Sequence, residues 1–213
     1  MSTSTKPAQG TMPLAAQANL RSVVFNLPNQ LTWLRLALAI VMFGLIGAQM
    51  YAASLVMFVV AASTDWLDGY FARKYSMVTT LGRILDPFAD KVIICGTFIY
   101  LAALPATAEA IGSGVRPWMA VVIVGRELLV TALRSFLEHE GADFSATLSG
   151  KLKMVLQCVA ASLSLFCLAF PQALASLSPW LGWTLVAAVW AAVVLTVLSG
   201  VAYVRTAIHL LRA

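Results

Sequence analysis

Asp65-Trp66-Leu67-Asp68-Gly69-Tyr70-Phe71-Ala72-Arg73 is followed, eight residues on, by Gly82-Arg83-Ile84-Leu85-Asp86-Pro87-Phe88-Ala89-Asp90. Four carboxylates, Asp65, Asp68, Asp86 and Asp90, thus stand in a chain that is 61% hydrophobic and only 11% charged. Carboxylates in membrane segments are costly and mark functional sites. Residues three or four apart share a helical face, so Asp65 and Asp68 point together, as do Asp86 and Asp90. Left unpaired, such groups repel one another. Hard divalent cations, which prefer carboxylate oxygens, remove that repulsion. The four aspartates are therefore candidate metal ligands at an apolar site where phosphate chemistry is expected.

The rest of the chain supports a membrane setting. Its mean hydropathy is +0.87, far above that of a soluble domain. A transmembrane helix needs about 20 apolar residues, so 213 residues suffice for roughly six spans and little else. Leu36–Thr64 is uncharged but too long for one span, and Gly44, Gly47 and Gln49 suggest a turn within it. Pro105, Gly112, Gly114 and Pro117 mark a second break, and Pro171, Gln172 and Pro179 a third. The expected helices are residues 31–47, 50–71, 84–105, 117–140, 150–170 and 180–211, with a polar connection over 74–82. A short connection predicts that the second and third helices pack as antiparallel neighbours, so that all four carboxylates converge. Pro87 is expected near a helix N-terminus, where its missing N–H costs little.

Residues 1–20 carry no apolar core like that of a signal peptide and are read as a mobile tail. Residues 21–213 are read as one membrane-embedded domain. Cys95, Cys158 and Cys167 lie in apolar stretches with no zinc spacing and read as reduced buried thiols. The net charge is +5, without the basic, aromatic-interleaved stripe of a nucleic-acid binder. Lys6, Arg21, Arg35, Arg73, Lys74, Arg83, Arg134, Lys151, Lys153 and Arg212 fall on one side of a six-span arrangement. The excess of basic residues predicts that this side, with both termini and the aspartates, is cytoplasmic. Trp33, Trp180, Trp183 and Trp190 read as interface or packing residues.

The pattern Asp-x2-Asp-Gly-x2-Ala-Arg-x8-Gly-x3-Asp-x3-Asp, complete at residues 65–90, resembles the signature of the CDP-alcohol phosphatidyltransferases. The resemblance implies an all-α integral membrane protein with that family's six-helix fold. It implies one or two magnesium or manganese ions held by Asp65, Asp68, Asp86 and Asp90, with Asp90 also the general base. It places Gly69, Ala72, Arg73 and Gly82 around the CDP moiety. Family members are commonly homodimers, and the cytoplasmic (inner) membrane is the expected location.

Beyond the signature, three stretches are similar to the phosphatidylglycerophosphate synthase branch: Asn26–Arg35, Gly125-Arg126-Glu127 with Ala132-Leu133-Arg134, and Gly150–Lys153. This implies CDP-diacylglycerol and glycerol 3-phosphate as substrates, with phosphatidylglycerophosphate and CMP as products. A dianionic acceptor needs fixed cations, and Arg126, Arg134 and Lys151 are the candidates. Arg126 has a structural alternative in pairing with Glu127 or Glu138, and Arg35, Lys151 and Lys153 in anchoring helices at the membrane surface. Asn29 and Thr32 either contact CDP or cap a helix. Other acceptors (inositol phosphate, serine, phosphatidylglycerol) and a divalent-cation transporter are the competing readings. The Asp-Asp pair of prenyl-diphosphate enzymes does not occur.

Overall fold

The computed structural model describes residues 27–75, 80–104, 112–139, 148–172 and 180–212. Six long helices account for nearly all of them: α1 (Leu27–Gly47), α2 (Tyr51–Tyr75), α3 (Thr80–Ala103), α4 (Pro117–His139), α5 (Leu148–Ala169) and α6 (Trp180–Arg212). There is no strand among the described residues. The expected tail, residues 1–20, lies outside them.

Local chemistry fixes the helix ends. Pro28 sits in the first turn of α1, where a missing N–H costs nothing. The helix closes where Gln49 turns left-handed at φ 61°. Met50 N–H then donates to the Leu45 carbonyl at 2.9 Å and Gln49 N–H to that of Ile46 at 3.0 Å. This six-to-one and five-to-two pair is the Schellman closure, with glutamine where glycine is usual. Before α4, Gly114 adopts φ +69°, and a Cβ there would lie 3.1 Å from Leu185. Ser113 ties the same loop back to α3 by donating to the Leu101 carbonyl at 2.7 Å.

Three helices run further than the sequence suggested, and α1 starts at Leu27, a turn before the expected residue 31. α2 continues to Tyr75, so Asp65, Asp68, Gly69, Ala72 and Arg73 all lie on one unbroken helix. α3 starts at Thr80, which puts Gly82 inside it and Pro87 in its interior rather than at its N-terminus. Pro87 has no N–H to donate to the carbonyl four residues earlier, so the ladder lacks the bond between residues 83 and 87, one turn before Asp90.

α1 packs on α2 and α3, and α5 on α2, α3 and α6, while α4 packs on α3 and α6. The helices therefore form two four-membered rings, α1–α2–α5–α3 and α3–α4–α6–α5, sharing the α3–α5 edge. Among the described residues α2 and α3 both lean on α1 and α5 and are not themselves one of the closely packed pairs. The ends of the two helices that carry the aspartates, where direct antiparallel pairing is expected, have their side chains outside the described residues.

The core joins all six helices through Met42, Phe58, Phe98, Ile123, Leu165 and Leu185, each essentially inaccessible. α1 reaches α3 where Phe43 lies over Gly96 and stacks on Tyr100 at 5.2 Å between centroids. The outward faces are apolar on every helix, as at Ile40, Val56, Ile99, Val121, Val155 and Leu198. An apolar exterior of that extent is the mark of a surface that meets something other than water. Leu152–Ala169 and Trp180–Leu210 are long and apolar enough by themselves to cross a membrane. Trp180 and Trp183 project outward at the start of α6. The three cysteines are free thiols.

Candidate active site

The aspartate motif is distributed over α2 and α3. Backbone placement puts Asp65 and Asp68 one turn apart on α2, and Asp86 and Asp90 one turn apart on α3. The side chains of Asp65, Asp68, Asp86, Arg73, Asn29 and Lys151 lie outside the described residues, so their convergence is not seen directly. Among the described residues no group of three His, Cys, Asp or Glu side chains gathers to hold a metal. The donor set still suits a hard cation: four carboxylates on two helices that both pack on α1 and α5.

Asp90 is described, and its partner was not foreseen. Arg35 of α1 donates from Nη1 to Asp90 Oδ1 at 3.0 Å. The Arg35 side chain is 1% exposed, against 28% for Asp90. A membrane-surface anchor for Arg35 is therefore ruled out, because its guanidinium is inside the bundle. Thr32, one turn earlier, is fully buried in the helix interior, so it is not a cap. Thr32, Arg35, Ala39, Met42 and Ile46 recur every three or four residues and are all buried. That periodicity, legible in the sequence, was the signal that Arg35 points inward.

A second charged cluster lies where α4, α5 and α6 meet. Glu127 accepts at Oε1 from Lys153 Nζ and, at 3.3 Å, from Arg126 Nη1. All three side chains are about nine-tenths buried, at 9%, 10% and 8% exposed for Arg126, Glu127 and Lys153. Arg126 thus has the pairing with Glu127 that was the structural alternative, but the pairing does not exhaust it. Its Nε and Nη2 are buried without a hydrogen-bond partner. α6 cradles the same side chain. The Tyr203 ring lies 5.4 Å from the guanidinium carbon, and a Cβ on Gly200 would come within 3.0 Å of Arg126 Cγ. One layer above, Gln157 of α5 donates to Thr196 of α6 at 3.0 Å.

Lys153 is thereby linked to Arg126 through the Glu127 carboxylate they share, while the side chain of Lys151 lies outside the described residues. Lys153 too is buried, which rules out a surface anchor. It shares a helical face with Gln157, Ala160, Ala161 and Ser164, all buried. Arg134, two turns beyond Arg126, is half-buried on α4. An apolar groove of about 490 Å³ between the far half of α3 and the start of α4, lined by Ile99, Ala103, Pro117 and Val121, carries no reactive group.

Residues 25–198 match the CDP-alcohol phosphatidyltransferase family. The chain belongs to that family. Among curated relatives, it is 34% identical over 195 residues to a CDP-diacylglycerol–glycerol-3-phosphate 3-phosphatidyltransferase of Bacillus subtilis, covering 84% of this chain and 94% of the relative. It is 36% identical over 209 residues to a protein of Mycobacterium tuberculosis named "Probable phosphatidylglycerophosphate synthase", covering 95% and 91%. A cardiolipin synthase (CMP-forming) of rice is 33% identical over 153 residues, 67% of this chain but 46% of that protein. Family membership and the apolar helices together mark a membrane protein.

Proposed function

We propose that this protein transfers the phosphatidyl group of CDP-diacylglycerol to glycerol 3-phosphate, giving phosphatidylglycerophosphate and CMP. The observation that carries the reading is near full-length similarity to a CDP-diacylglycerol–glycerol-3-phosphate 3-phosphatidyltransferase, over 94% of that protein. The rice cardiolipin synthase matches over less than half its own length, which favours glycerol 3-phosphate over a lipid acceptor. The α4–α5–α6 cluster is suited to it as well. Two cations against one carboxylate, with guanidinium N–H groups to spare, fit an acceptor that brings its own phosphate.

In this reading Asp65, Asp68, Asp86 and Asp90 hold one or two magnesium or manganese ions. The chemistry such ions supply when bound is neutralisation of the diphosphate and stabilisation of the departing CMP phosphate. Asn29, Thr32, Gly69, Ala72, Arg73 and Gly82 line the CDP site. Arg126 and Lys153, with Arg134 and Lys151, hold the acceptor phosphate. Asp90 takes the proton of the acceptor hydroxyl as its oxygen bonds to the lipid-side phosphorus. The bond from that phosphorus to the CMP oxygen breaks, and CMP leaves with the electron pair. Because a carboxylate is a weak base for an alcohol, alignment of the hydroxyl contributes more than proton abstraction.

Residues 21–213 form the catalytic domain, with six spans. Even the shortest helix has 21 residues, about 31 Å at 1.5 Å per residue, which matches a hydrocarbon core of about 30 Å. α2, α3 and α4 fall below the usual hydropathy of a span because they carry the charges of the site. The basic residues favour both termini and the site at the cytoplasmic face of the inner membrane, and the family favours a homodimer. The test is incorporation of radiolabelled glycerol 3-phosphate into lipid by purified protein in mixed micelles. The label should enter the lipid phase only with CDP-diacylglycerol present and should cease with EDTA. Absence of lipid label with folded protein and added magnesium overturns the assignment; label that persists with EDTA overturns the metal.

A further inference from the structure

We propose that Arg35 is a positioning residue for the transfer reaction: its guanidinium, brought in by α1, fixes the orientation from which Asp90 of α3 meets the acceptor hydroxyl. The inference rests on the reading of Asp90 as the base.

Arg35 is placed where stability alone would not put it. Burying an ion pair costs several kcal/mol per ion in desolvation, and replacing both partners by well-packed apolar residues is often neutral or stabilising. On the same face of α1 Arg35 is followed by Ala39 and Met42, both fully buried. The partner is 55 residues away on another helix, so the pair is not a local accident of helical spacing. The exposures are unequal in an informative way. Arg35 is sealed at 1%, while Asp90 retains 28%. The carboxylate is thus gripped from the protein interior while part of it stays accessible.

The hold is rigid at both ends. A guanidinium is planar, and its donors sit in a fixed fork. α1 is itself registered against α3 by Phe43, which covers Gly96 and stacks on Tyr100. The carboxylate is therefore oriented by helix packing and not by side-chain torsion alone. Pro87 adds to the need for such a brace, since the helix lacks the backbone hydrogen bond from residue 87 to residue 83, one turn before Asp90. Misplacing a catalytic group by about 1 Å can cost about 100-fold in rate, and a carboxylate free to turn about its side-chain torsions has that freedom unless something holds it. Arg35 itself touches no substrate in this account.

The test compares Arg35→Gln and Arg35→Lys with wild type in detergent-solubilised, monodisperse protein. It follows CMP release at varied CDP-diacylglycerol and glycerol 3-phosphate, and CDP affinity by calorimetry. Arg35→Gln should lower kcat about 10- to 100-fold, and leave both KM values and the CDP affinity within about threefold of wild type. Arg35→Lys keeps the charge without the fork and should fall between the two. Should Arg35→Gln fail to fold, Arg35→Lys carries the test alone, again with kcat lowered and KM unmoved. A folded Arg35→Gln protein with wild-type kcat, or a loss that appears in KM or CDP affinity, overturns the proposal. The wild-type arm reports separately on the proposed function: no CMP release there fails that reading, whereas active wild type with indifferent Arg35 variants fails only this one.

Discussion

Two of the described arginines are sealed inside this bundle, and they are answered differently. Arg35 meets a carboxylate from a distant helix, Asp90, which stays 28% exposed. Arg126 meets the carboxylate of its own neighbour, Glu127, shares it with Lys153, and keeps two nitrogens without a hydrogen-bond partner. In the proposed reading the first arrangement holds a base in place, and the second offers cationic hydrogen-bonding capacity to an incoming phosphate. Buried charge would then serve in one ring of helices to orient and in the other to receive. Changes to the first should therefore act on turnover, and changes to the second on acceptor affinity.

The harshest way to break the comparison is to remove the base. Asp90→Asn should cut kcat by about 100- to 10,000-fold, measured as CMP release, because Arg35 then orients a group that cannot accept the proton. Near-normal turnover in that variant would leave the α1–α3 pair with no catalytic meaning. Next in size is Glu127→Gln. Arg126 and Lys153 would then be buried side by side without a counter-charge, a change worth about 3 kcal/mol or more of stability. Thermal unfolding in detergent should register it before any kinetic assay does.

Arg126→Gln sharpens the contrast instead. Loss of charge-assisted hydrogen bonds, each worth about 1.5–3 kcal/mol, should raise KM for glycerol 3-phosphate roughly 10- to 100-fold and leave KM for CDP-diacylglycerol unchanged. An equal rise in both would show that the cluster does not discriminate between the substrates. The gentlest perturbation is Gly200→Ala. The new methyl would press on Arg126 Cγ, and a shift of a few tenths of an ångström should raise the acceptor KM about threefold with folding intact.

The helices were legible because apolar runs of spanning length are separated by proline, glycine and polar breaks. Four of the six begin within two residues of expectation at Tyr51, Pro117, Leu148 and Trp180, while α1 and α3 start a turn early at Leu27 and Thr80. The early start of α3 is the instructive one. The polar residues of 74–82 read as a connection, but polarity does not prevent a helix whose end emerges from the apolar layer. The family was legible in the residue types and spacing at 65–90. The partnerships were not. No one-dimensional spacing tells Asp90 that its counter-ion lies 55 residues back.

Lys153 shows a middle case. Residues two apart on a helix lie on nearly opposite faces. Lys153 is in step with Gln157, Ala160 and Ser164, and polar residues in apolar helices face the interior. The inward turn of Lys153 was thus available in the periodicity of α5, as that of Arg35 was in α1. What periodicity could not supply is the ring arrangement, in which α2 and α3 both pack on α1 and α5. That arrangement depends on which helix flanks fit together, and α1 fits both.

The most direct test of the whole account is the rate of CMP release by purified protein in mixed micelles containing CDP-diacylglycerol and magnesium. Glycerol 3-phosphate, serine, inositol phosphate and phosphatidylglycerol are supplied one at a time. Release with glycerol 3-phosphate alone is the expected result. Release with another acceptor and not with glycerol 3-phosphate, or none with any of the four from folded, metal-supplemented protein, would contradict it.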